Sequence, residues 1–308
     1  HPLVRSAILA GVPAGALRRA HAALADATDP DGDPVRRAWH RAGATAGTDD
    51  TVAAELEAAA ALTRARGGWA GAGTLLTRAA ELTGAAPAGA LRLLGAAEAV
   101  LAAGDPLEAR RLLHAASPDL TDTLARAHAL RLEGSIRFAA GDVTDAPGLL
   151  LEAARALEPF DARLARDTLL DASSAAIYGG RAARNAALAE VARAASTVPA
   201  GEAPTSGDLL LDGFATLFTE GHEAGAPKLR AAIAALDVDG EVADHTLRWL
   251  GFGCWAAGAL GDNERLRALA ARLVRLCRER GALVELTRGL YFLAMGDLVA
   301  GELDRATA

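Results

Sequence analysis

Ala139-Ala140-Gly141-Asp142 and its near copy Ala102-Ala103-Gly104-Asp105 decide the fold. Each closes one apolar helical run and opens another. The glycine reads as a left-handed helix stop, since a residue without Cβ takes positive φ at little cost, and the aspartate reads as a cap or turn residue of the next helix. The expected unit is therefore a helix hairpin punctuated by glycine. The same punctuation recurs at Gly67, Gly104, Gly141, Gly180, Gly221, Gly261 and Gly301, at intervals of 37, 37, 39, 41, 40 and 40 residues. A period in that range marks a helical solenoid. Five residues after each glycine stand Ala72, Ala109, Ala146, Asn185, Ala226, Leu266 and Ala306, where two antiparallel helices approach and a small side chain suits best. Twelve residues after the glycine a second small position holds Ala79, Ala116, Ala153 and Ala192.

Composition agrees with an all-α chain. Of the 308 residues 51% are apolar and only 4% aromatic, so the core is built from Ala, Leu and Val at close helix spacing. One continuous repeat array accommodates this length, because each unit contacts its neighbours only. The formal charge of −7, with Lys228 as the sole lysine, argues against a nucleic-acid surface. No apolar run reaches the ~18 residues of a membrane span and no leader peptide opens the sequence, so neither membrane nor export is expected and a cytoplasmic location fits. Cys254 and Cys277 fall on the two helices of one hairpin, and a lone pair without a disulfide framework reads as two small buried thiols.

Taken in order, His1 to Ala10 and Pro13 to Ala27 read as helices, followed by Val35 to Ala46. The intervening Thr28-Asp29-Pro30-Asp31-Gly32-Asp33-Pro34 has alternating aspartates. A calcium loop starting at Asp29 requires Gly at its sixth place and Glu at its twelfth, which hold Pro34 and His40, so the stretch reads as a loop and cap. A boundary near residue 46 separates segment 1–46 from the repeats of 47–308. The hairpins then run Thr51 to Arg66 with Trp69 to Leu82, Ala88 to Ala103 with Pro106 to Ala116, and Thr121 to Ala140 with Val143 to Leu157. Ala162 to Tyr178 with Ala182 to Ala195, Gly207 to Glu220 with Ala224 to Leu236, and Val242 to Leu260 with Asn263 to Arg280 follow. A last unit opens at Leu283 and stops inside its second helix, which suggests a fragment of a longer polypeptide.

Several stretches carry a resemblance: His1-Pro2-Leu3-Val4-Arg5-Ser6-Ala7, Arg18-Arg19-Ala20-His21-Ala22-Ala23-Leu24-Ala25, Arg36-Arg37-Ala38-Trp39-His40, Val52-Ala53-Ala54-Glu55-Leu56-Glu57-Ala58-Ala59-Ala60, Ala65-Arg66-Gly67-Gly68 and Leu75-Leu76-Thr77-Arg78-Ala79-Ala80-Glu81-Leu82. Together they resemble large ATP-binding regulators of the LuxR family over about the first third of the chain. The resemblance implies a three-part polypeptide: an ATPase domain with a winged-helix tail, a tetratricopeptide-like helical middle, and a DNA-binding helix-turn-helix. Residues 1–46 would be the winged-helix end, and the remainder a right-handed superhelix (α-solenoid) of about seven tetratricopeptide-like hairpins. ATP or ADP with Mg is implied for the ATPase domain only. The chain has no G-x-x-x-x-G-K-[ST] loop, its one lysine following Pro227, so no cofactor is expected on this segment. In related signalling ATPases a winged-helix histidine touches the nucleotide phosphate, a role the resemblance extends to His1.

Catalytic signatures are missing. The seven histidines form no H-E-x-x-H and no Cys/His cluster, Gly71-Ala72-Gly73 lacks the third glycine of a dinucleotide loop, and no G-x-S-x-G occurs, so an enzyme is not expected. In tetratricopeptide-like arrays the groove positions lie about 13, 10, 6 and 3 residues before the turn glycine. That rule selects His128, Arg131, Ser135 and Phe138; Asp167, Leu170, Ser174 and Ile177; Asp208, Leu211, Ala215 and Phe218; Arg248, Gly251, Trp255 and Gly258; and Arg288, Tyr291, Met295 and Leu298. A register error of one residue would bring in Tyr178, Phe214, Trp249 or Phe252. The candidate ligand-binding residues are Arg131, Phe138, Tyr178, Phe218, Arg248, Trp255 and Tyr291. Aromatics at helical spacing are also what a core needs, yet seven of the chain's twelve stand in the first helices of the last three hairpins.

Two functions compete. In one the segment is the regulatory region of such a regulator, binding a small-molecule effector or protein partner in the groove and coupling it to the other domains. In the other it is a stand-alone interaction scaffold binding peptides. No direct nucleic-acid contact is expected of either, and a homo-oligomer is compatible with both.

Overall fold

A helix that must turn back within a few residues needs a left-handed residue at its end, and every glycine of the repeat supplies one. The φ angles of Gly67, Gly104, Gly141, Gly180, Gly221, Gly261 and Gly301 are 79°, 93°, 84°, 47°, 100°, 72° and 78°. Among the described residues only glycines have positive φ. At Gly141 the helix closes with the Gly141 amide donating to the Phe138 carbonyl (3.1 Å) and the Asp142 amide to the Arg137 carbonyl (2.9 Å), the paired bonds of a Schellman stop. The same pair recurs at Gly261 and Gly301. Asp105 and Asp262, following their glycines, accept from the amides of Glu108 (3.0 Å) and Arg265 (3.1 Å) and so cap the next helix.

The computed structural model describes residues 11–180, 186–238 and 246–306, which are helical with no strand. The expected first helix, His1 and Asn185 lie outside the described residues. Helices α1 (Ala14–Ala27) and α2 (Pro34–Ala44) precede α3 (Asp50–Ala65), α4 (Trp69–Glu81), α5 (Ala86–Ala102) and α6 (Pro106–Ala116). Then come α7 (Thr123–Ala139), α8 (Ala146–Leu157), α9 (Ala162–Gly179), α10 (Ala186–Thr197), α11 (Ser206–Thr219) and α12 (His222–Val238). The chain continues through α13 (Thr246–Ala259), α14 (Asn263–Arg280), α15 (Leu283–Val299) and the short α16 (Leu303–Ala306). Between α1 and α2 the aspartates serve the backbone: Asp29 accepts from the Asp31 amide (3.0 Å), and Asp33 caps α2 through the Arg36 amide (3.1 Å).

One boundary departs clearly from the sequence reading. Helix α8 begins at Ala146, not Val143, because Pro147 has no amide hydrogen to donate and is tolerated only in a first turn.

Contacts divide the chain into two units. One runs to Val100 and takes in Arg111–Leu120; the other holds Leu101–Arg110 and everything after Leu120. In the first unit Ala38 and Ala42 of α2 share a core with Val52, Leu56 and Ala60 of α3 and Ala72, Leu75 and Ala79 of α4. Arg78 of α4 donates to the Ala42 carbonyl (3.2 Å), satisfying the open end of α2. In the second unit consecutive helices pack pairwise, and the first helices also touch one another, α7 with α9, α9 with α11, α11 with α13, and α13 with α15. Its core gathers Leu150, Leu169, Leu210, Phe214, Leu229, Leu250, Phe252 and Leu273.

The small positions lie where helices meet. Ala72, Ala109, Ala146 and Ala226 are at most 3% exposed, and Ala79, Ala116, Ala153 and Ala192 are fully buried. Further close approaches rest on Gly134 and Gly213, where a Cβ would stand 2.7 Å from the side chains of Leu150 and Leu229.

Three glycine-to-alanine substitutions should therefore part company in urea denaturation. Gly141→Ala, with open space around its Cβ but φ of 84°, should cost about 1–2 kcal/mol from the backbone alone. Gly134→Ala should lose about 1–3 kcal/mol by overpacking Leu150. Gly148→Ala, exposed in α8 with nothing near its Cβ, should gain roughly 0.5 kcal/mol.

Candidate functional site

Asp167, Asp171, Ser174 and Tyr178 recur on α9 at i, i+4, i+7 and i+11, which places them on one face of the helix. That face meets side chains from hairpins far away in sequence. Arg248 of α13 donates from Nη1 to Asp171 Oδ2 at 2.7 Å, across 77 residues. Arg288 of α15 holds its guanidinium over the rings of Phe138 from α7 (5.3 Å) and Tyr178 (5.9 Å), and its Nη1 lies 3.0 Å from Oε2 of Glu285 one turn earlier. The Arg288 stem passes over Gly251 of α13, where a Cβ would stand 2.9 Å from its Cδ. Tyr178 completes the cluster, its ring centroid 5.8 Å from Phe138 and 6.1 Å from both Tyr291 and Phe292. Among the described residues its buried hydroxyl has no hydrogen-bond partner.

A second aromatic group joins α11 to α13. Phe218 stacks on Trp255 at 6.2 Å and 21°, over Phe214 and Phe252, which are buried core residues. Trp249 is core as well, lying flat against Gly207, where a Cβ would collide with its indole. Of the seven candidate residues, the structure thus brings Phe138, Tyr178 and Tyr291 together with Arg288 over the first two rings, pairs Phe218 with Trp255, and sets Arg248 on Asp171. Arg131 is half-buried on α7, two turns before Phe138.

The electrostatics of this face are uneven. Burial pushes the Asp167 carboxyl up to about 6; Arg248 opposes the shift, and Asp171 one turn away reinforces it. Asp171 in turn holds Arg248 firmly charged, as Glu285 does Arg288 despite its burial. Burial likewise raises the Tyr178 hydroxyl. Cys254 and Cys277 are free, fully buried and pushed by burial to about 12, so neither is a nucleophile at neutral pH. Among the described residues no three His, Cys, Asp or Glu gather as a metal cluster, and no helix is long and apolar enough to cross a membrane.

Sequence reasoning passed over Asp171 and Glu285, which pair with the two arginines, and over Arg166. The Arg166 side chain is 3% exposed and fully engaged. Nε donates to Asp208 Oδ1 (2.5 Å), Nη2 to Asp212 Oδ1 (2.7 Å) and the Asp208 carbonyl (3.1 Å), and Nη1 to the Val198 carbonyl. Asp208 also closes a capping box with Thr205. Burial disfavours the Asp208 anion, but the Thr205 and Arg166 hydrogen bonds outweigh it and hold the carboxyl below its usual range. An arginine in phase with Leu169, Ser173 and Ala176 on a core face was the available signal for Arg166.

No protein-family model matches the chain, and no curated protein matches it either.

The Asp167 carboxyl makes a pH-dependent contribution whose sign follows from its raised value. A group protonated more readily in the folded state favours folding below its unfolded value near 4, and that contribution is lost as the pH rises through 6. Asp167→Asn should accordingly be more stable than the parent at pH 7.5, by on the order of 1–2 kcal/mol, with the gap closing by pH 4 in thermal or urea melts.

Proposed function

We propose that the chain is the helical-repeat regulatory region of a LuxR-family ATP-binding transcriptional regulator, with ATPase and DNA-binding functions residing in other parts of that polypeptide. The hairpins form a right-handed superhelix of tetratricopeptide-like units, and segment 1–46 is the winged-helix end of the ATPase domain. The segment performs no chemistry itself, works in the cytoplasm without membrane or nucleic-acid contact, and tolerates homo-oligomer formation.

The observation that carries this reading is the set of ties between distant hairpins. Asp171–Arg248 and Phe138/Tyr178–Arg288 fasten first helices that are 77 to 150 residues apart in sequence. An effector or protein partner that competes for Arg248, Arg288 or the rings of Tyr178 and Tyr291 would alter how those helices sit against one another. Two arrangements with unequal affinity for the ligand are all that coupling requires. A peptide-binding scaffold needs a face of unengaged side chains. Here Arg248 is engaged with Asp171, and Phe138 and Tyr178 with Arg288, which favours the coupling module.

The parent reading frame tests the assignment. It should encode a G-x-x-x-x-G-K-[ST] loop before His1 and a helix-turn-helix after Ala308. A frame with neither would overturn the regulator reading and leave the scaffold. For the site itself, Trp255→Ala should leave far-UV helicity intact and abolish the thermal shift produced by the effector; an undiminished shift would remove Trp255 from it.

A further inference from the structure

Helices α1 and α2 pack against each other, and each turns one half-buried histidine toward the other. The Nδ1 atoms of His21 and His40 stand 3.0 Å apart, with the rings tilted by 46° and their centroids 5.2 Å apart. The seat of His21 is shaped for it. Its ring lies on Gly43, one turn after His40, where a Cβ would come within 2.7 Å of ring Cγ and Nδ1. The next turn of α2 therefore cannot carry a side chain without moving the imidazole. His40 is held below its ordinary value by burial first, then by His21 and Arg36, with Asp33 opposing, so it is a neutral imidazole at neutral pH.

Two imidazoles meeting nitrogen to nitrogen have two ways to satisfy the contact. One nitrogen can carry a proton and donate it to the other, or both lone pairs can point at a common cation. Metal–imidazole bonds are ~2.0–2.1 Å long, and two of them on adjacent positions of one metal, near a right angle, separate their nitrogens by about 3 Å. The observed separation suits that bite without moving either helix.

We propose that His21 and His40 chelate one borderline divalent transition metal, of the Zn2+, Ni2+ or Cu2+ class, through their Nδ1 atoms. Imidazole nitrogen selects these ions over Mg2+ and Ca2+, which prefer oxygen. Water fills the remaining positions, so the metal stays exchangeable. On binding, the histidine that had donated from Nδ1 carries its proton on Nε2 instead, and no net proton is released. The site clips α1 to α2 and rests on their geometry alone, independent of the regulator reading.

Ni2+, Zn2+ and Mg2+, each added alone to tag-free protein at pH 7.5, are the probes. A His1→Ala background removes the N-terminal imidazole as a competing ligand. Calorimetry should find one Ni2+ or Zn2+ per chain and a raised melting temperature, with Mg2+ inert. His21→Ala and His40→Ala should each weaken binding by about tenfold or more; His114→Ala, exposed on α6, should leave it unchanged. Affinity in the His21 and His40 variants undiminished from that of the unsubstituted pair, or no binding to that pair at all, would overturn the site and leave a shared-proton hydrogen bond. Should His21→Ala unfold α1, the 15N resonances of the two imidazoles decide. Metal must shift Nδ1 of both in the unsubstituted pair, and unmoved signals would equally overturn the proposal.

Discussion

Two helices can lie within alanine distance of each other only if the chain between them reverses in two or three residues. That reversal forces one residue into the left-handed region, which L side chains enter at a cost of about 1–2 kcal/mol. Every hairpin glycine from Gly67 to Gly301 carries that conformation, and the buried alanines five and twelve residues later exploit the close approach it permits. A chain with 4% aromatic residues has few bulky groups to fill wide gaps, so its core depends on this spacing. The large side chains it has are spent sparingly, Phe214 and Phe252 in the core and Phe138, Tyr178 and Tyr291 where α7, α9 and α15 meet.

The contrast between Arg166 and Asp167 shows how one helix serves two ends. Adjacent on α9, they face different surroundings. Arg166 is buried with its donors satisfied by Asp208, Asp212 and the Val198 carbonyl, the condition under which a buried charge is tolerated. Asp167 is mostly buried beside Asp171, and its carboxyl is pushed toward neutrality. A residue whose ionised form costs stability is not explained by the needs of the fold, which directs attention to the face it shares with Arg248.

The hairpins were legible because they are written locally. A glycine stop, a capping aspartate and a small residue at fixed offsets lie within one short stretch, and α6 and α14 run over the residues read for them. The start of α8 was less so, since Pro147 sits in an otherwise continuous apolar run. The candidate face was half legible. Counting back from the turn glycine found Phe138, Asp167, Arg248, Arg288 and Tyr291, but the count cannot separate Phe214, fully buried, from Phe218 one turn later and 38% exposed. Partners were not legible at all: nothing local ties Arg248 to Asp171 across 77 residues, or Arg288 to Phe138 across α8 to α14.

Those long-range ties are the centre of the account, and a double-mutant cycle measures one of them directly. Asp171→Asn, Arg248→Gln and the double variant, compared by urea denaturation at pH 7.5, should yield a coupling energy of about 1 kcal/mol or more between the two positions. Losses that add to within about 0.3 kcal/mol would mean that the 2.7 Å pair does not hold α9 to α13, and would contradict the account.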